Sequence, residues 1–180
     1  MSWAQFGPGG VGDDTDCRFW FAFEDGLFND GDAVDAISNR GGNTNNLFQN
    51  NNGRRPTYTL GASSMNGFGV AQFDGANDFL TISTNSDINS SSTAQDAKEL
   101  TMVIRTGSDV ATRQVLYEEG GTIRGLNIYI FNDSLYFGGW NLNSDGIGAP
   151  WTFVEVHDEI SANTEYIICL LYTSPSPRDA

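Results

Sequence analysis

The apolar residues of this chain come in short runs, alternating or continuous, and turn residues separate each run from the next. An amphipathic helix needs apolar positions that recur once per turn, and almost no stretch here has them. Alternation between neighbouring residues belongs instead to strands, whose successive side chains point to opposite faces. The runs are residues 19–23, 57–60, 69–73, 79–83, 99–105, 113–118, 126–131, 134–138, 153–156 and 165–172. Short strands at this spacing, with no helical pattern between them, predict an all-β fold: an antiparallel β-sandwich of the jelly-roll type. The polar stretches 39–53 and 84–96 read as loops.

Turn chemistry and alternation add detail. Asp74-Gly75 closes one strand, and Asn132-Asp133 joins Tyr129-Ile130-Phe131 to Leu135-Tyr136-Phe137 as a tight hairpin. Leu100, Met102 and Ile104 are expected to enter the core, as are Leu126, Ile128 and Ile130. Residues 166–172 are apolar on both faces, which predicts a central strand covered from both sides.

Composition excludes several function classes. Acidic residues outnumber basic ones 23 to 9, for a net charge of −14, and such a surface repels phosphate and rules against a nucleic-acid partner. Aromatic residues at 12% supply a core and argue against disorder. No apolar run reaches the roughly 20 residues that cross a bilayer, so no membrane insertion is expected. Cys17 and Cys169 are too few for a disulfide framework; they leave either one bridge or a buried thiol at Cys169.

The segment Gly7-Pro8-Gly9-Gly10-Val11-Gly12 is linker-like, and no signal peptide is visible before it. Residues 173–180 carry Pro175 and Pro177, which cannot continue a central strand. The expected organisation is a linker over 1–12, a domain over 13–172 truncated before its last strands, and a non-native tail over 173–180. Flanking domains of a larger parent protein are expected.

Several segments share the pattern of a known family. They are Pro8-Gly9-Gly10-Val11-Gly12 before Phe19-Trp20-Phe21, Gln49 with Arg55-Pro56-Thr57-Tyr58, and Met65-Asn66-Gly67-Phe68-Gly69-Val70. Phe73-Asp74-Gly75-Ala76-Asn77-Asp78-Phe79-Leu80, Leu135-Tyr136-Phe137-Gly138-Gly139-Trp140-Asn141 and Ile160-Ser161-Ala162-Asn163-Thr164 complete the set. Together they resemble the laminin-G-like, concanavalin A-like jelly-roll domains of large exported proteins from gliding and marine bacteria. That resemblance implies an extracellular or cell-surface setting and a role in carbohydrate binding or adhesion, with a structural spacer in a large adhesin as the alternative.

Three constellations are candidates for chemistry. Asp74, Asn77 and Asp78 either stabilise a turn or, with residues 13–16, supply oxygens for a structural calcium ion. Laminarinase-type hydrolases of this broad fold place three acids on one strand face, with the catalytic carboxyls about 5 Å apart. The nearest run here is Glu155-Val156-His157-Asp158-Glu159, in which histidine replaces the middle acid. A solvated strand edge is the plainer reading, and no catalytic residue is assigned. For glycan binding the candidates are Trp151, Trp140, Asn141, Asn143 and Asp145, where indoles stack on sugar rings and amides bond to hydroxyls. Trp140 also suits a core position, and Tyr117 and Tyr136 are weaker candidates.

Overall fold

The computed structural model describes residues 17–23, 28–60, 65–88, 97–120, 124–141 and 154–173. Their regular structure is β, with antiparallel pairing in each sheet, one 3-10 turn at Asn52–Arg54, and no α-helix among the described residues. The chain forms two compact units, Met1–Ser83 and Thr84–Ala180.

In the first unit, β1 (Ala36–Ile37) pairs with β2 (Leu47–Phe48), and β3 (Thr57–Thr59) pairs with β4 (Val70–Gln72). Val34, Ile37 and Tyr58 form its core, packed by Phe21, Phe23, Phe28, Leu47 and Leu80. Polar side chains tie the loops around this core. Asn39 Oδ1 accepts from the backbone N–H of Trp20 and Gly41, while its Nδ2 donates to the carbonyls of Arg18 and Asn43. Residues 19–23 therefore do not form the expected strand: the Trp20 N–H donates to Asn39 Oδ1, and Trp20 O accepts from Arg40 N. Likewise the 79–83 run makes only a single bridge, Thr81 to Phe48. The buried Gln49 side chain donates to Phe79 O and accepts from Asn51 N, and Arg55 Nε donates to Gln49 O at 2.8 Å.

In the second unit, β5 (Ala97–Arg105) pairs with β10 (Glu165–Thr173) as a two-stranded sheet. A four-stranded sheet runs in the order β6 (Gln114–Gly120), β7 (Arg124–Phe131), β8 (Ser134–Asn141), β9 (Val154–Glu159). Both sheets contribute to one core of Val110, Ile128, Ile130, Leu135 and Ile168. Leu100, Met102 and Ile104 pack against it from β5, and Leu126 is also buried. The inward sets expected from alternation are therefore correct. So is the hairpin: Asn132 and Asp133 both have positive φ, 51° and 57°, the type I′ combination that matches strand twist.

The expectation for residues 166–172 holds on one face only. Tyr166, Ile168 and Leu170 meet the core, but Ile167 is 79% exposed and Leu171 67%. Their strand, β10, has one partner, β5, so an apolar outer face is left uncovered among the described residues. Cys169 lies on that face as an exposed thiol rather than a buried one, with Sγ donating to Glu99 Oε1 at 3.8 Å.

One polar cluster enters the inter-sheet layer. Val115 and Tyr117 would share a face in a regular strand, but a bulge between them turns Tyr117 and Glu119 onto the face of Ile128 and Leu126. There Lys98 Nζ meets Glu119 Oε1 at 2.6 Å, and the Tyr117 hydroxyl donates to Glu119 Oε2. The Lys98 and Glu119 side chains are 16% and 6% exposed. Burial first, and then the Glu119 charge, pushes the Tyr117 phenol above its ordinary pKa, so it stays a donor.

Two outcomes are expected. Glu119→Ala strands the Lys98 charge and lowers unfolding free energy by about 3–5 kcal/mol, whereas a Lys98→Met/Glu119→Leu double variant recovers most of that loss in urea titrations. A Cβ at Gly69 would overlap the Tyr58 phenol, so Gly69→Ala lowers the urea midpoint of the first unit, at a cost of about 1–3 kcal/mol.

Candidate functional site

The face of the four-stranded sheet turned away from the core carries the most organised set of polar and aromatic side chains in the second unit. Cross-strand register sets its rows. Val115, Tyr129, Tyr136 and His157 are successive partners from β6 to β9. The Tyr129 and Tyr136 rings stack at 4.8 Å with 4° between planes, and Tyr136 stacks on His157 at 5.0 Å and 28°. Arg113, just before β6, places its guanidinium 5.0 Å from the Tyr129 ring and 4.9 Å from Phe131. These spacings match the separation of neighbouring strands, so the rings stand upright on the sheet and face one another.

The adjacent row is Glu118, Asn127, Gly138 and Glu155. Asn127 is buried, and its Oδ1 has no hydrogen-bond partner. Beyond it Gly125 pairs with Trp140 and Arg124 with Asn141, at the end of β8. Those pairings give the backbone positions of Trp140 and Asn141; their side chains are not among the described ones, and Asn143, Asp145 and Trp151 lie wholly outside the described residues.

Glu155, His157 and Glu159 take alternate positions on β9, opposite Gly138, Tyr136 and Ser134, and so share the face expected from their spacing. Val156, His157, Asp158 and Glu159 are exposed along this edge strand, the solvated edge of the plainer reading. The imidazole at the middle position is committed to the Tyr136 stack.

Asp74, Asn77 and Asp78 come together in a turn in the first unit. Asp74 Oδ1 accepts from the N–H groups of Ala76, Asn77 and Asp78 at 2.8, 2.9 and 3.1 Å, and Asp78 Oδ2 accepts from Asp74 N at 3.0 Å. Gly75 supplies the positive φ, 72°. A hard cation needs oxygens whose lone pairs are directed at it, and here converging amide protons occupy those of Asp74 Oδ1. This donor set suits a turn better than calcium. Residues 13–16 lie outside the described residues, and among those described no cluster of three or more His, Cys, Asp or Glu is placed to hold a metal.

Tyr136 was legible as a weak candidate, but Arg113, Asn127 and Tyr129 were not singled out by sequence. Alternation along β7 marks Asn127, Tyr129 and Phe131 as one outward set, and this was the signal available for finding them. Comparison with protein-family models, with curated proteins and with solved structures returns no significant match.

The Asp74 turn has a pH signature. Bonds from Asn77, Ala76 and Asp78 N–H hold its carboxyl below the ordinary aspartate pKa. A depressed folded-state value adds stability above the unfolded pKa and loses it as pH falls through the folded one. Asp74→Asn is therefore expected to flatten the fall of the urea midpoint between about pH 5 and pH 2, with little change in slope above that window.

Proposed function

We propose that this chain is a non-catalytic carbohydrate-binding or adhesion module, built as a laminin-G-like jelly roll and belonging to an extracellular or cell-surface bacterial protein. The observation that carries the reading is the outer face of the four-stranded sheet. It carries an ordered aromatic row, Tyr129, Tyr136 and His157, with the exposed carboxylates of Glu118 and Glu159 on the same face. Apolar ring edges beside carboxylate groups suit a sugar, whose C–H surface and hydroxyls need both kinds of partner. The two sheets that share one core support a sandwich, and the motifs of the first unit support the family likeness: Gln49, Arg55, Tyr58 and Asp74 each hold a turn or a packing contact.

Glycan cleavage is the second reading, favoured by the same-face positions of Glu155 and Glu159 on β9. It is weaker because the residue between them is a stacked histidine.

A glycan array probed with the intact chain is expected to show saturable binding. His157→Ala, at an exposed edge position, should weaken it by about tenfold, equivalent to about 1.4 kcal/mol, with an unchanged melting temperature. Absence of binding to every glycan would leave the spacer role in an adhesin. Release of reducing sugar that Glu155→Gln abolishes would replace binding by hydrolysis.

A further inference from the structure

The residues of β10 read Glu165-Tyr166-Ile167-Ile168-Cys169-Leu170-Leu171-Tyr172-Thr173, and about Cys169 they repeat in reverse by chemical kind. Tyr166 answers to Tyr172, Ile167 to Leu171 and Ile168 to Leu170. β10 stands at an edge of its sheet: β5 pairs with one side, and among the described residues no strand pairs with the other. Such an edge presents a row of unpaired backbone donors and acceptors, and proteins ordinarily blunt it with a charge, a proline or a bulge. None of these interrupts β10. Its register with β5 is regular from end to end, and its one charged residue, Glu165, is the first. Ile167 and Leu171 add side chains that are 79% and 67% exposed, with the exposed Cys169 between them. The outer edge of β5 differs. That strand carries Lys98, Glu99 and Arg105, and reversal about its centre, Thr101, sets Glu99 against Val103 and Lys98 against Ile104.

We propose that β10 pairs edge to edge with β10 of a second copy of this chain, antiparallel about a two-fold axis at Cys169. A two-fold contact sets the same patch against itself, so the strand that fits it must match its own reverse, as β10 does. Ile167 then lies opposite the partner's Leu171, Ile168 opposite the partner's Leu170, and Cys169 opposite itself. Odd positions meet odd positions, so the core-facing side of one strand continues into that of the other. Glu165 falls opposite the partner's Thr173, and no like charges are opposed. The pairing uses both β10 edges and leaves only the charged β5 strands outside, which closes the assembly at two copies. Copies of net charge −14 repel one another, and one strand pair is smaller than the roughly 800 Å² per partner of a standard interface. The dimer is therefore weak, and salt strengthens it by screening that repulsion.

Sedimentation velocity of the full chain under reducing conditions, from about 1 μM to about 1 mM, is expected to show monomer passing to dimer, with more dimer as salt is added. Cys169→Ser leaves this unchanged. Cys169→Asp sets two carboxylates against each other at the axis and weakens the dimer at least about tenfold, and Cys169→Lys acts likewise through two ammonium groups. Mixing the Asp and Lys variants restores the dimer, because only at a two-fold axis does a residue meet itself in one pairing and its opposite charge in the other. Opposed residues of an antiparallel pair have Cα atoms about 4.5–5.5 Å apart, within the reach of a disulfide, so oxidation of the native chain with diamide is expected to join Cys169 to the partner's Cys169 in peptide maps. A chain that stays monomeric at every concentration would overturn the proposal. So would a mixture that associates no more tightly than either variant alone, or assembly that continues past the dimer.

Discussion

The second unit depends on a single layer of aliphatic side chains shared by two sheets, with Ile128 fully buried within it. Neither sheet is stable without that layer, since a two-stranded ribbon such as β5–β10 is marginal in water until one face is covered. Sharing a layer forces the alternation of every strand that borders it, and this in turn decides what each strand shows to solvent. The aromatic row exists because Ile128 and Ile130 take the inward positions of β7 and leave Asn127, Tyr129 and Phe131 outside. The bulge in β6 is the one local departure. It trades regular alternation for a place where Tyr117 and Glu119 turn inward and Val115 stays out.

Much of this was legible in the sequence because it follows from a period of two. Leu100, Met102 and Ile104, the β7 set, and the Asn132-Asp133 turn all obey local rules that need no knowledge of partners. What was not legible required knowing who pairs with whom. The polar stretch 39–53 hides β2, which has only two residues and is held by its pairing with β1 and by the bonds between Phe48 and Thr81 rather than by its own pattern. The run 19–23 has strand composition, yet Trp20 spends its backbone bonds on the Asn39 side chain and Arg40 N rather than on a strand partner. In β10, apolar residues on both sides signalled cover on both sides, but composition does not supply the covering element.

The candidate site shows the same division. Spacing alone put Glu155, His157 and Glu159 on one face, but the stack of His157 on Tyr136 depends on the β8–β9 register, and residues 142–153 separate those two strands in sequence. Likewise the Asp74 motif could be read as either a turn or a metal site until the direction of its amide protons was known. Once those directions are fixed, the hydrogen bonds of the motif account for the turn.

The Lys98–Glu119 pair has a consequence for how the molecule meets reagents. Lys98 is the sole lysine of the chain, and it lies largely enclosed against Glu119. Held against that carboxylate at 2.6 Å and largely enclosed, its amine presents little surface to acylating reagents in the folded protein. An acyl mark on Lys98 therefore records a moment when the layer that encloses it stood open.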